Sequence, residues 1–449
     1  MSYNFLKIEE PESIEQARSY EPEGSRIPYE VERAVSQILK EVKSGGDKAV
    51  LKFSRKFDST RFTKIDDIKV KEEDIRSIAA GVKNKFPQLI ESLEVSSKNI
   101  KEYHAAQFEK NEGTWIIRPD KGKRIGQITI PLERVGIYIP GGRYPYPSSV
   151  LMTVIPAVIA RVKEIVVCTP PRPDGSLNEV LLYLFNEFRI REVYKVGGAQ
   201  AIAALAYGTQ SIKRVDKIVG PGNIYVAAAK KKIYGDVAVD SVAGPSDITI
   251  IADDSSDTDF IAADLIAQAE HDPDSRSILL SSSEESARET IKSIYRHLDL
   301  LADEYGGKVN MGVILKSLKK NCRIIYHPKE ETLVNICNKI APEHLEIMVK
   351  SSQKVLRKIR NAGAIFVGEY SPVAVGDYIG GTNHVIPTNG NARFSSPLGI
   401  SDFLKKSSLT VYNKSALRRE MKFINTISEF EKLFSHSESV KARFRKKKK

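Results

Sequence analysis

Residues 192–208 read EVYKVGGAQAIAALAYG. The first part holds Val193, Tyr194 and Val196, β-branched and aromatic residues that favour a strand. The run stops at Gly197 and Gly198 and continues into an alanine- and leucine-rich stretch with the composition of a helix, closed by another glycine. An apolar strand that passes through glycines into an apolar helix is part of a parallel βαβ unit, because a parallel sheet is covered on both faces. The pattern repeats outward in both directions. GQITIPLERVGIYIPGG (126–142) gives two strands and a loop that starts at Gly141 and Gly142, VLMTVIPAVIARV (150–162) a helix and EIVVCTPP (164–171) a strand. LNEVLLYLFNEF (177–188) gives a helix, DKIVGPG (216–222) a strand and NIYVAAAKKKIYG (223–235) a helix. These units predict a doubly wound α/β domain with ligands at the carboxyl ends of its strands.

The alternation resumes at DITIIAD (247–253). It runs through a helix at 258–270, the strand SILLSSS, a helix at 284–298 and the stretch IAPEHLE (340–346), then the helix KVLRKIRNA and the strand GAIFVG. This predicts a second α/β domain. The first 125 residues are polar and helical in pattern, with a break at Gly45 and Gly46. Residues 371–400 are rich in Gly, Pro and Asn and too long for an ordinary connection, a mark of a functional loop. A helical tail closes the chain.

Composition narrows the function. The chain has 449 residues, 41% hydrophobic and 28% charged, as in an ordinary globular protein of two or three domains. The N-terminus, MSYNFLKIEEPESIEQ, has no apolar core of a secretory signal, and the longest apolar stretch, near 150–160, is too short to span a bilayer. Three cysteines, Cys168, Cys322 and Cys337, make no C-x-x-C pair, which fits a reducing cytoplasm. Seven of the +12 net charges lie in the last nine residues, KARFRKKKK, leaving +5 for the rest. That distribution predicts a solvated tail, not a specific nucleic-acid face, and no membrane partner.

Four stretches carry polar residues of chemical interest. In IAPEHLE, Glu343 and His344 are adjacent. They form either a polar turn after Pro342 or a proton-moving pair, since His titrates near neutral pH and a carboxylate activates water. In LIAQAEHDPDS, Gln268 and His271 are three apart and share a helix face, which by itself is an ordinary helix end. In VGDYIGGTNHVIPT, Asp377, Asn383 and His384 lie among glycines, as in a ligand loop or a set of tight turns. EFEKLFSHSES carries Glu431 and His436 in the tail. The glycine turns at 197–200 and 220–223 can offer helix N-termini to a dinucleotide phosphate, but neither has the G-x-G-x-x-G fingerprint.

Taken in order, RVGIYIPGG, YPSSVLM, VGGAQAIAALAYGT, VGPGN, AGPSDITIIAD, QAEHDPDS, APEHLE, GDYIGGTNHVIPT and ARFSSPLGISDF resemble the histidinol dehydrogenase family. The likeness runs from about 125 to 405 and reaches the tail through Glu431 and His436. It implies oxidation of L-histidinol to L-histidine in two NAD-linked steps through L-histidinal, at the end of histidine biosynthesis. His344 then falls on the general base and Glu343 on the residue that activates water. Gln268, His271, Asp377 and His436 fall on the ligands of one Zn2+ per subunit, a mixed N/O set. Ser246 and Glu431 join Gln268, His271, His344, Asp377 and His436 as substrate contacts. Tyr138, Gln200 and Asn223 fall on NAD contacts. The role of His384 stays open.

The resemblance also implies a homodimer with shared sites and two incomplete Rossmann-like doubly wound domains with small helical N- and C-terminal segments. The expected division is an N-terminal segment 1–30, a first α/β domain of 31–145 and 248–398 with the catalytic pair, an NAD-side domain 146–247, and a helical segment 399–449 with the basic tail. Small departures are Asp272 where glycine is usual, Asp247 for a usual glutamate, and Tyr144 for a small residue. The rival within the superfamily is an NAD-dependent sulfopropanediol dehydrogenase, which shares the catalytic and metal residues. Thr382 in GDYIGGTNH follows the histidinol type. From other classes, a tail-driven nucleic-acid binder and a metallohydrolase on the Gln/His/Asp/His set complete the alternatives.

Overall fold

The structure, a computed structural model, describes residues 4–11, 27–59, 61–111, 113–141, 145–242 and 244–445. Gly142, Tyr144 and the last four lysines of the basic tail lie outside the described residues. Strands β1 (Ile8–Glu9), β2 (Trp115–Asp120), β3 (Lys123–Pro131), β4 (Arg134–Tyr138), β5 (Glu164–Cys168), β6 (Glu192–Tyr194) and β7 (Lys217–Val219) are followed by β8 (Ala238–Val239), β9 (Asp247–Ala252), β10 (Arg276–Ser281), β11 (Cys322–Tyr326), β12 (His344–Met348), β13 (Ala364–Val367) and β14 (Leu404–Tyr412).

Two parallel sheets carry the molecule. One is ordered β6-β5-β4-β7-β8 and the other β1-β11-β10-β9-β12-β13. Counted from the first strand of each, both run 3-2-1-4-5, the doubly wound order, with β1 added at one edge of the second. The expected α/β class with two Rossmann-like sheets is what the chain forms. The strand order reverses between β4 and β7 in one sheet and between β9 and β12 in the other. Residues of β9 and β12 are buried throughout, which is why DITIIA and HLEIM read as nearly unbroken apolar runs. A third sheet, β14-β3-β2, is antiparallel.

The division of the chain differs from the expected one. β4 lies at the centre of the five-stranded sheet, paired with both β5 and β7, so it belongs with 146–247 and not with 248–398. Helices Tyr29–Gly45 and Asp47–Phe57 share a core with Gly198–Tyr207 and Ile224–Ile233 on one face of that sheet. Helices Glu72–Lys85 and Pro87–Asn111 share another with Pro147–Ile159 and Glu179–Glu187 on the opposite face. The N-terminal helices therefore complete the unit of the five-stranded sheet. The other unit is built from 247–367 with β1, whose pairing to β11 draws the N-terminal segment into a sheet edge. The C-terminal segment opens with a strand, β14, before its two helices, Lys414–Phe430 and Phe434–Ala442. Among the described residues no helix is long and apolar enough to cross a membrane.

Candidate active site

Glu343 and His344 stand at the amino end of β12, and Ser246 and Asp247 at the amino end of β9, its neighbour across the reversal. The expected placement at carboxyl ends thus fails for this sheet: its chemistry faces the other way. Asp247 organises the pair. Its backbone N–H donates to Glu343 Oε2 (2.9 Å), its Oδ1 accepts from the Glu343 N–H (3.0 Å), and its carbonyl accepts from His344 Nδ1 (3.0 Å). A carbonyl cannot donate, so Nδ1 carries the proton and Nε2 keeps its lone pair. All three side chains are buried. Burial, and then the Asp247 charge, raises the Glu343 carboxyl well above its ordinary range, opposed by hydrogen bonds from Asp247 and Ser246. Burial pushes His344 down to about 4 and Asp247 up to about 6, the latter against the pull of Arg276.

Three further elements close around this pair. Helix Thr258–His271 brings Gln268 and His271, and helix Val373–Tyr378 brings Asp377. The loop after that helix brings His384. His271 and His384 act electrostatically on His344, and Asp377 acts on Glu343. Burial holds Asp377 up at about 6 and His384 down at about 4, and it also lowers His271, whose ring stays exposed on the rim. Gln268 is buried with neither amide oxygen nor amide nitrogen partnered, and His384 Nε2 is likewise buried and unpartnered. Buried polar atoms are almost always hydrogen-bonded, so these groups are arranged for something that binds there. Among the described residues no three His, Cys, Asp or Glu side chains form a group able to hold a metal ion within one chain. Glu431 and His436 are exposed where the two tail helices meet, and no hydrogen bond or ion pair among the described residues joins them to this cluster.

The candidate cofactor residues collect at the carboxyl ends of the other sheet, on both sides of its reversal. Tyr138 ends β4, buried, and its hydroxyl accepts from the Gly198 N–H (3.1 Å). Gln200 is buried in the first turn of Gly198–Tyr207 and donates to Asp58 Oδ2 (3.1 Å). Asp58 Oδ1 accepts from the Gly197 N–H (3.1 Å), and burial raises the Asp58 carboxyl. Asn223 caps helix Ile224–Ile233 through its Oδ1, which leaves its NH2 outward. Gly220 between them has φ +111, and a side chain there would collide with the Tyr138 carbonyl. Both polar backbone groups of Gly220 are strapped by a buried ion pair. Lys230 Nζ donates to its carbonyl (2.6 Å) and Asp240 Oδ2 accepts from its N–H (2.7 Å), while Lys230 and Asp240 hydrogen-bond each other.

Asp247, Asp58, Lys230 and Asp240 are the residues that sequence reasoning missed. Asp58 and Asp247 act through contacts distant in sequence, Lys230 and Asp240 through contacts across one helix and its flanking loops, and only the departure of Asp247 from a usual glutamate marked any of them. A cavity of about 620 Å³ lies elsewhere, walled by Ile90, Leu93, Ile155 and Leu184 among others, and holds none of the candidate residues.

A family model described as histidinol dehydrogenase matches residues 23–444. This chain belongs to the histidinol dehydrogenase family. It is 43% identical over 416 residues to the histidinol dehydrogenase of Clostridium acetobutylicum and 43% over 416 residues to that of Methanocaldococcus jannaschii, covering 93% of each chain in both cases. A crystal structure of histidinol dehydrogenase from Elizabethkingia anophelis superposes with a TM-score of 0.89 at 33% identity, covering 99% of both chains. The sulfopropanediol alternative finds no support in these comparisons. Family membership thus extends over nearly the whole chain, both sheets and the tail included.

Proposed function

We propose that this chain is a cytoplasmic homodimer that oxidises L-histidinol to L-histidine in two NAD-dependent steps through L-histidinal, with one zinc ion per subunit holding the substrate. The observation that supports it most is the buried Glu343–His344 pair, with His344 fixed through Nδ1 by the Asp247 carbonyl. His344 is neutral at pH 7 and presents Nε2, so it removes the hydroxyl proton as hydride departs. Glu343 takes the proton of the water that adds to the aldehyde in the second step. A cation held by Gln268, His271 and Asp377 would oppose the upward shift of Glu343 and favour its carboxylate form.

The residues fit a metal. Gln268 and Asp377 supply oxygen, His271 supplies nitrogen, and the unpartnered amide of Gln268 is the sign of a missing ligand. His436 of the partner subunit would complete this set, with Glu431 of the partner subunit contacting the substrate. When bound, zinc orients and polarises the substrate and the nicotinamide accepts hydride. The residues fit the dinucleotide too: Tyr138, Gln200 and the free NH2 of Asn223 flank glycine turns that permit close backbone approach. Ser246 hydrogen-bonds the Glu343 carboxyl and is assigned a substrate contact in this reading.

The test is one assay. Purified chain is incubated with L-histidinol and NAD+, and both NADH and histidine are quantified. Two NADH per histidine support the reading. NADH formed with histidine rules out the metallohydrolase reading, and no turnover of histidinol refutes the substrate. Deleting residues 441–449 should leave turnover intact and so remove the tail-driven alternative.

A further inference from the structure

The elements that carry Gln268, His271 and His344 also carry an acid pair, Asp264 and Glu346, that the proposed mechanism does not use. Glu346 is 1% exposed in the middle of β12. It is two residues from His344, so both side chains leave the same face of the strand. Asp264 is half-buried on helix Thr258–His271, one turn before Gln268 and two before His271, on the face they share. The two carboxyl groups hydrogen-bond each other. Glu346 Oε1 also accepts from the N–H of Val373 (2.9 Å), the first residue of the helix that carries Asp377. Glu346 Oε2 is buried with no N–H or O–H donor beside it.

Two carboxyl groups can hydrogen-bond only if one of them keeps its proton. Among the described residues neither has a cation as partner, so a doubly charged pair would be buried and uncompensated, at a cost of several kcal/mol per ion. Burial raises both carboxyls, and the neighbouring Asp264 raises Glu346 further, so the pair holds one proton between them. Through these two contacts Glu346 joins three elements: its own strand, which carries His344, the helix of Gln268 and His271, and the helix of Asp377.

We infer that Asp264 and Glu346 are a proton-sharing positioning pair that sets the relative placement of Gln268, His271 and Asp377 and so the metal affinity of the site. The inference rests on the reading of those three residues as metal ligands. Groups that orient metal ligands from behind typically control metal affinity by roughly 10–100-fold. Asp264 and Glu346 do this through backbone elements, not by touching the ligand atoms.

The experiment compares zinc affinity of the full chain, by competition with a chromophoric chelator, across Glu346→Leu, Glu346→Gln, Asp264→Ala and His271→Ala. KM values for NAD+ and histidinol are measured alongside, with circular dichroism as the check of fold. Glu346→Leu should weaken zinc binding by roughly 10–100-fold and raise KM for histidinol, with KM for NAD+ unchanged. Glu346→Gln keeps an acceptor for the Val373 N–H and supplies an amide N–H to Asp264, so it should bind zinc within about threefold of the parent. Asp264→Ala, at a half-buried position, should repeat the loss even where Glu346→Leu does not fold. Parent-like zinc affinity in folded Glu346→Leu or Asp264→Ala overturns the inference. Equal loss in Glu346→Gln and Glu346→Leu overturns the shared proton. If His271→Ala loses zinc while the acid-pair variants keep it, only this inference falls. If His271→Ala keeps it, the ligand reading falls and carries the inference with it.

Discussion

At the scale of single residues, Asp247 touches both members of the candidate catalytic pair and fixes the His344 ring with Nε2 unprotonated. His344→Ala is therefore expected to slow both oxidations, by ~10²–10⁴-fold, because each hydride transfer needs a proton removed. Glu343→Gln should spare the first step relative to the second. Trapped histidinal and a drop from two toward one NADH per histidinol are the readouts, and unchanged stoichiometry would count against the water-activating role. The same burial has a stability consequence. The His344 imidazole titrates near 6.5 when unfolded and is held to about 4 when folded. Below pH 6.5 the unfolded chain gains a proton that the folded chain refuses, so stability falls as pH falls through that window and levels off beneath about 4, a contribution of about 3 kcal/mol. His344→Gln retains a donor for the Asp247 carbonyl and should lose less stability than the parent between pH 6.5 and 4.5 in urea unfolding. Some slope will persist, since His384 is shifted in the same direction. Of the site, Glu343 and His344 were legible because two polar residues interrupt an apolar stretch. Asp247 was not, because it reads as the polar start of a strand and its contacts reach 96 residues along the chain.

At the scale of elements, the two reversals of strand order do different work. The β4/β7 reversal presents its carboxyl ends to the candidate cofactor residues, where the doubly wound fold leads one to expect a ligand. The β9/β12 reversal presents its amino ends to the candidate catalytic pair. The cofactor-side loop VGPGN is held by the buried Lys230–Asp240 pair, which grips both backbone groups of Gly220. Removing one partner of a buried ion pair leaves the other uncompensated, so Lys230→Met should cost about 3–5 kcal/mol in urea unfolding. Lys230→Met with Asp240→Leu should recover part of that stability while KM for NAD+ stays raised, because the Gly220 N–H remains unpaired. A loss below about 1 kcal/mol in the single variant would mean that the strap carries little strain-free stabilisation. Parallel strands and their crossover helices were legible because their apolar runs are continuous and bounded by glycine. β2 was not, since all six of its residues are exposed and it lacks a buried face to impose alternation. The N-terminal helices declared an apolar face but not its partner. Amphipathic spacing reports that a face is buried, not against what, and the domain boundaries went wrong for that reason.

At the scale of the whole molecule, the tail is the unfinished part. Phe423, Ile427 and Phe430 lie along one face of helix Lys414–Phe430 at 65%, 60% and 88% exposure, with Phe434 at 64% just beyond. An apolar stripe at this spacing, open to water, marks a contact surface. Glu431 and His436 stand beside it, and no hydrogen bond or ion pair among the described residues joins them to Gln268, His271 or Asp377. Both observations fit a tail that docks on a second copy of the chain, in a two-fold dimer whose two sites each draw on both subunits. The arrangement predicts complementation. His344→Ala and His436→Ala chains, each inactive alone, are mixed after dissociation and allowed to reassociate. In a mixed dimer with sites shared between chains, one site takes His344 from the second chain and His436 from the first and is intact, while the other lacks both. Activity should then return, up to one working site per mixed dimer. If each site draws His344 and His436 from the same chain, every site lacks one of them and none recovers. Absence of activity in a sample whose subunits mass spectrometry shows to have exchanged would place the tail's histidine in its own chain's site.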